Sequence, residues 1–136
     1  MKKLLLPIDG TPRSLHTIDR VKNAFAPDQV EVTILTVQPG QAHIDRHLER
    51  ERLDQQVVQQ MQDYAALLPG YQVKTVLLEG DPGLEIVLYA EHNDIELLCM
   101  TRSTRGPLHK MGSVANYIVK NAPFLDLFIM REQDDL

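Results

Sequence analysis

Five apolar runs alternate with four stretches of helical spacing along the 136 residues, and this alternation constrains the fold most. The runs at 3–8, 30–37, 72–78, 95–101 and 125–130 read as strands. "VEVTILTV" and "YQVKTVLL" are rich in the β-branched residues that pack well on a pleated surface. Helical spacing predicts helices over 14–25, about 43–68, 82–91 and 113–120. In "GDPGLEIVLYAEHND" Asp81 is placed to cap a helix, Pro82 suits its first position, and Glu85 lies near the positive end of the dipole. Ile86, Val87 and Ala90 then form a core-facing stripe. In the second helix Ile44, Leu48, Val57, Met61, Ala65 and Leu68 keep helical spacing, although its charged first half leaves open a start as loop.

Strict β-α alternation implies an α/β fold, with one open, five-stranded, mostly parallel sheet and helices on both faces. A chain of 136 residues makes one domain of this kind, residues 1–136. Open sheets of this type bind ligands outside the carboxyl ends of their strands, where the strand order reverses. The residues to examine therefore follow the strands: Asp9 and Gly10, Val37 and Gln38, Glu79 and Gly80, and above all 101–112.

Composition narrows the classes. An apolar fraction of 43% with 24% charged residues is globular. "MKKLLLPIDG" opens like a signal peptide, but Pro7 and Asp9 end the apolar run and no small-residue cleavage site follows. It reads as a first strand in a cytoplasmic protein, and no apolar run reaches membrane-spanning length. The one cysteine, Cys99 in "IELLCM", is expected to be a buried, inert thiol in a reducing compartment. A net charge of −5 argues against nucleic-acid binding. Residues 97–125 nevertheless hold no Asp or Glu, while Arg102, Arg105, Lys110 and Lys120 fall inside. A local anion partner explains that concentration; an ordinary fluctuation of surface charge is the alternative.

Asp9 ends the first strand in "LLLPIDGTPRS". A carboxylate there can accept hydrogen bonds from ribose hydroxyls or help hold a metal ion; it can equally bond nearby turn amides. Pro7 is unusual inside a central strand, because it removes a ladder hydrogen bond. Gly112 and Ser113 precede "VANYIVK": Ser113 suits the helix N-cap, and Gly112 lets a ligand approach the backbone. The free amides of that helix favour an anion, and Arg102, Arg105 and Lys110 supply phosphate contacts. His43, His47 and Glu51 share a helix face at i, i+4 and i+8, but position 44 is Ile rather than the Glu of the zinc-protease motif. A solvated face, not a metal site, is expected there. Phosphate-binding loops of the G-x-x-x-x-G-K-[ST] and G-x-G-x-x-G types, a G-x-S-x-G elbow and paired C-x-x-C motifs are all absent, which points away from an enzyme.

"KKLLLPIDGTPRS", "EGDPGLEIVLYAEHNDIELLCMT" and "GSVANYIVKNAPFLDLFIM", in this order, resemble blocks of the universal stress protein (UspA) family over nearly the full chain. The resemblance implies strand order 3-2-1-4-5. It also implies ATP or another adenine nucleotide, with Mg, as the ligand. Carried over by position, it assigns Asp9 to the ribose, Val37 to the adenine, and Gly112, Ser113 and Val114 to the phosphates, with Pro7, Met100, Thr101 and Thr104 completing the site. The family's ATP binders have the form G-x2-G-x9-G-[ST]. Here Thr101 and Thr104 replace the first two glycines, and seven residues rather than nine separate Thr104 from Gly112. Three functions follow: a non-catalytic regulatory domain with a degenerate nucleotide or anion site, a stress-response homodimer acting by protein contacts alone, or an adenylyl-transferring enzyme. The last usually carries Ser-Gly-Gly or His-x-Gly-His, and neither occurs here. The resemblance and the apolar run "FLDLFIM" imply pairing of two copies through the last strand, at Leu125, Phe128 and Ile129.

Overall fold

The computed structural model describes residues 1–39, 47–102 and 112–132. Along the chain run β1 (Lys2–Pro7), α1 (Arg13–Ala24), β2 (Val30–Gln38), α2 (His47–Ala65), β3 (Gln72–Glu79), α3 (Pro82–His92), β4 (Leu97–Arg102), α4 (Ser113–Asn121) and β5 (Asp126–Arg131). The strands form one sheet in the order β3-β2-β1-β4-β5, and its neighbouring strands pair in parallel. The element types and strand order match the sequence expectations, with ends shifted by a few residues. α2 is the larger shift: it closes at Ala65 rather than residue 68, and its expected first residues, 43–46, lie outside the described ones.

A central parallel strand is buried on both faces, so it reads as a continuous apolar run rather than an alternating one. "LLL" in β1 is that run: Leu4, Leu5 and Leu6 are all fully buried. Each contributes about 1.5–3 kcal/mol by leaving water. Leu4 and Leu6 pack with Ile18 and Val21 of α1 and Met61 of α2. Leu5 points the other way, to Ile86 and Ala90 of α3 and Ile118 of α4. Cys99 joins the α1/α2 core, where burial pushes its thiol pKa up to about 12, so it stays protonated and inert as expected. Among the described residues, no helix is long and apolar enough to cross a membrane.

α3 starts as its sequence predicts. Asp81 accepts a hydrogen bond from the Leu84 amide at 3.1 Å, and Pro82 follows in the first turn. Gly83 then sets how closely α3 and α4 approach: a Cβ placed on it would lie 3.0 Å from the Tyr117 ring and 3.1 Å from Tyr117 Cβ. Substituting Gly83→Leu is therefore expected to force the two helices apart and destabilise the fold by about 1–3 kcal/mol. Urea unfolding checks this as a lower midpoint at unchanged slope.

Candidate functional site

The strand order reverses between β1 and β4, which are paired only at Leu4↔Leu97 and Leu5↔Leu98. Pro7 helps explain why they part. The Ile8 amide donates to the Leu35 carbonyl at 2.9 Å, and the Lys3 carbonyl accepts from Glu96 beside β4. Along β1 the even-numbered residues thus bond towards β2 and the odd-numbered ones towards β4. At Pro7 the donor missing from the ladder is the one that would have met β4.

A cavity of about 350 Å³ lies at this opening. Pro7, Asp9, Val37, Met100, Thr101 and Val114, six of the residues predicted from sequence, line it together. Its walls differ by sheet face. Leu35, Val37, Ile86, Met100 and Val114 belong to the α3/α4 core and make one side apolar. α1 and α2 bring Arg13, Ser14, Thr17 and Gln60 to the other side, joined by Thr36 of β2. Sequence reasoning missed this polar wall. A smaller cavity of about 170 Å³, lined by Lys3, Thr33, Lys74, Tyr89 and Asn93 among others, lies at the amino ends of the strands, away from the switch point.

Asp9 sits in a tight turn completed by Gly10, whose φ of +80° suits glycine. Asp9 Oδ1 accepts from the Thr11 amide at 3.0 Å and the Thr11 hydroxyl at 2.6 Å. Its Oδ2 meets the Arg13 guanidinium at 3.3 Å, and the Ser14 hydroxyl accepts from the Asp9 amide at 3.3 Å. The turn role and a cavity-lining position therefore coexist. Burial alone would raise the Asp9 pKa, but the Thr11 bonds and the Arg13 charge together hold it below the ordinary 3.8. The pKa of the Tyr64 hydroxyl on α2 is pushed upward, first by burial and then by the Asp9 charge.

Thr101, in the place of a family glycine, is buried, and its hydroxyl lies 2.7 Å from that of Thr17. Since the Thr17 hydroxyl donates to the Arg13 carbonyl at 3.0 Å, Thr101 is the donor of the pair. The bond fastens the end of β4 to α1. Arg102 is half-buried, its carbonyl accepts from the Glu132 amide at 3.1 Å, and it is not among the cavity-lining residues. Thr104, Arg105 and Lys110 lie outside the described residues.

Ser113 corrects an expectation. It is the first helical residue of α4, not its cap; Gly112 holds that position, and no side-chain hydrogen bond caps the turn. The chain turns into the helix one residue early, so the cap falls on a residue without a side chain. Gly112 has an ordinary φ of −63°, and among the described residues nothing lies within 4 Å of where its Cβ would be, so neither strain nor crowding by them requires a glycine. Neither Gly112 nor Ser113 is among the cavity-lining residues. His43 lies outside the described residues, as does the side chain of His47, while Glu51 is exposed on α2. Among the described residues, no three His, Cys, Asp or Glu side chains cluster as a metal site would need.

The sequence profile of the universal stress protein family matches residues 1–128. The chain belongs to the universal stress protein family. Universal stress protein MJ0531 of Methanocaldococcus jannaschii is 29% identical over 134 residues, covering 89% of this chain and 77% of that protein. Solved structures show the same fold. Protein MJ0577 superposes with a TM-score of 0.77 at 20% identity, covering 98% of both chains. A universal stress protein in complex with cAMP gives 0.68 at 19% identity, covering 95% of each. The family member At3g01520 of Arabidopsis thaliana, with AMP bound, gives 0.68 at 13% identity, covering 99% of this chain and 94% of that one.

The lowered Asp9 pKa has a measurable consequence. A group whose pKa is depressed by folding stabilises the fold above its unfolded value, here 3.8, and the contribution is lost as pH falls through the folded value. Asp9→Asn keeps an acceptor for Thr11 but removes the charge. Wild type is expected to exceed this variant in stability at pH 7, by under about 1 kcal/mol because the group is partly exposed. Urea unfolding at pH 3 should show the difference shrinking.

Proposed function

We propose that this chain is a non-catalytic regulatory domain of the universal stress protein kind, and that its cavity receives an adenine nucleotide. One observation carries this: a single cavity at the topological switch point joins an apolar wall to the Asp9 carboxylate. Its volume of about 350 Å³ suits a small ligand. Adenine fits against Val37, Met100 and Val114, and Asp9 can accept from the ribose. The AMP-bound and cAMP-bound relatives support that ligand class.

The phosphates are the weaker half of the site. Amides at the start of α4, near Gly112 and Ser113, favour an anion, and Arg102, Arg105 and Lys110 can add charge. Thr101 stands against close backbone approach, because its side chain is fixed to Thr17. Asp9 is the sole carboxylate lining the cavity among the described residues, and its oxygens already accept from Thr11 and Arg13. Mg arriving with ATP would therefore rest chiefly on the phosphates.

Titration calorimetry tests this reading. AMP is expected to bind, ATP to bind no more tightly than AMP, and Asp9→Ala to weaken AMP about tenfold or more. Failure of every adenine nucleotide to bind overturns the reading. Micromolar ATP binding, far above AMP and lost in Ser113→Ala or Gly112→Val, would show instead that the short loop still grips the phosphates.

The edge strand favours a second reading, a homodimer acting through protein contacts. β5 closes one side of the sheet, and Phe128 on it is 49% exposed, packed edge-on against Phe25 at 6.1 Å between ring centres. Ile129 is half-buried, whereas Leu125 is buried in the chain's own α3/α4 core and so has little surface to offer a partner. An apolar edge of this kind is protected by pairing. Light scattering is expected to give a dimer at micromolar concentration and a shift toward monomer in Phe128→Lys; a monomeric wild type overturns the pairing.

A further inference from the structure

Thr36 carries a hydroxyl that the fold does not use. The residue is 8% exposed, and its Oγ1 is buried with no hydrogen-bond partner among the described residues. A hydroxyl held in this way is destabilising, whereas valine fills nearly the same space without the penalty. The hydroxyl also borders the cavity. Pro7 is paired with Leu35, so Thr36 stands one step further along, beside Ile8 and next to the Asp9 turn. Strand alternation turns it away from the apolar α3/α4 wall and towards the α1/α2 side, where Ser14 and Gln60 also line the cavity.

We propose that Thr36 is a ligand-contact residue, its hydroxyl reading a sugar hydroxyl of the bound nucleotide alongside Asp9. This rests on the nucleotide reading above. The chemistry selects the sugar. A purine ring is better matched by the apolar wall, and a phosphate by the α4 amides and nearby cations. Arg13, the cation on the polar wall, is already paired with Asp9, so that wall is left for neutral groups that both donate and accept. A carboxylate only accepts, so Asp9 can take the proton of one sugar hydroxyl. Thr36 can do either, so it suits the neighbouring hydroxyl or the remaining lone pairs of the first. Binding would thus supply the partner that the protein withholds, and the penalty carried by the empty protein becomes selectivity for a hydroxylated ligand.

Thr36→Val separates the two effects. In thermal unfolding without ligand, the variant is expected to melt above wild type; a clear fall would mean that the hydroxyl has a protein partner and would overturn the proposal. In calorimetry, wild type is expected to prefer AMP over 2′-deoxy-AMP or 3′-deoxy-AMP by about tenfold, roughly one hydrogen bond. The variant should bind AMP about tenfold more weakly and lose its preference over one of the two deoxy analogues, while Asp9 keeps the preference over the other. Undiminished AMP binding by Thr36→Val overturns this proposal and leaves the nucleotide reading standing. Absence of AMP binding by wild type overturns both.

Discussion

A proline cannot donate a ladder hydrogen bond, and Pro7 withholds its bond on the side of β1 that faces β4. The organisation of the site depends on that. Pairing between the two strands is confined to Leu4↔Leu97 and Leu5↔Leu98, although β4 continues in register with β5 as far as Arg102↔Arg131. Two strands that would otherwise run side by side separate at their carboxyl ends. Pro7, Met100 and Thr101 then border a cavity instead of a closed ladder. This is also where the strand order reverses, the place at which open sheets of this type bind ligands.

The groups around the opening are held in place before any ligand arrives. Thr11, Arg13 and Ser14 fix the turn that carries Asp9, and the Thr101–Thr17 bond ties the end of β4 to α1. Such fixing lowers the entropy lost on binding. Thr36 is the counterpart: a buried polar group with no partner among the described residues, beside a network whose members have theirs. Polar groups left unsatisfied in this way are uncommon in folded proteins, and one placed at a cavity wall is most simply understood through what enters the cavity.

The two ends of the cavity differ in how they are built. Around Asp9, short-range bonds within residues 9–14 define the geometry, and a change of partner residue elsewhere would leave them intact. At α4, among the described residues, no side chain caps the helix and none crowds Gly112, whose φ is ordinary. Among the described residues of α4, Val114 is the one that lines the cavity. An asymmetry of this kind accords with the proposed ligand being held mainly by its nucleoside part.

Element types and the two-faced sheet were legible in the sequence because their signals are local. "LLL" announces a strand buried on both sides, Asp81 with Pro82 starts a helix, and Cys99 within "IELLCM" reads as core. Part of the cavity lining was legible too: Asp9, Val37 and Thr101 stand at or just beyond strand ends, where such sheets bind, and the family resemblance added Pro7, Met100 and Val114. The polar wall was not. Arg13, Ser14, Thr17 and Gln60 look like ordinary helix positions, and Thr36 like one more β-branched strand residue; only the packing of α1 and α2 brings them to one cavity. The cap of α4 moved from Ser113 to Gly112 because a one-residue choice at a helix start depends on how the chain arrives there. The sequence by itself therefore determined periodicity, and with it the layers and the parallel sheet. Tertiary structure decided register and helix docking, because these alone settle that Thr101 finds Thr17 while Thr36 finds no partner.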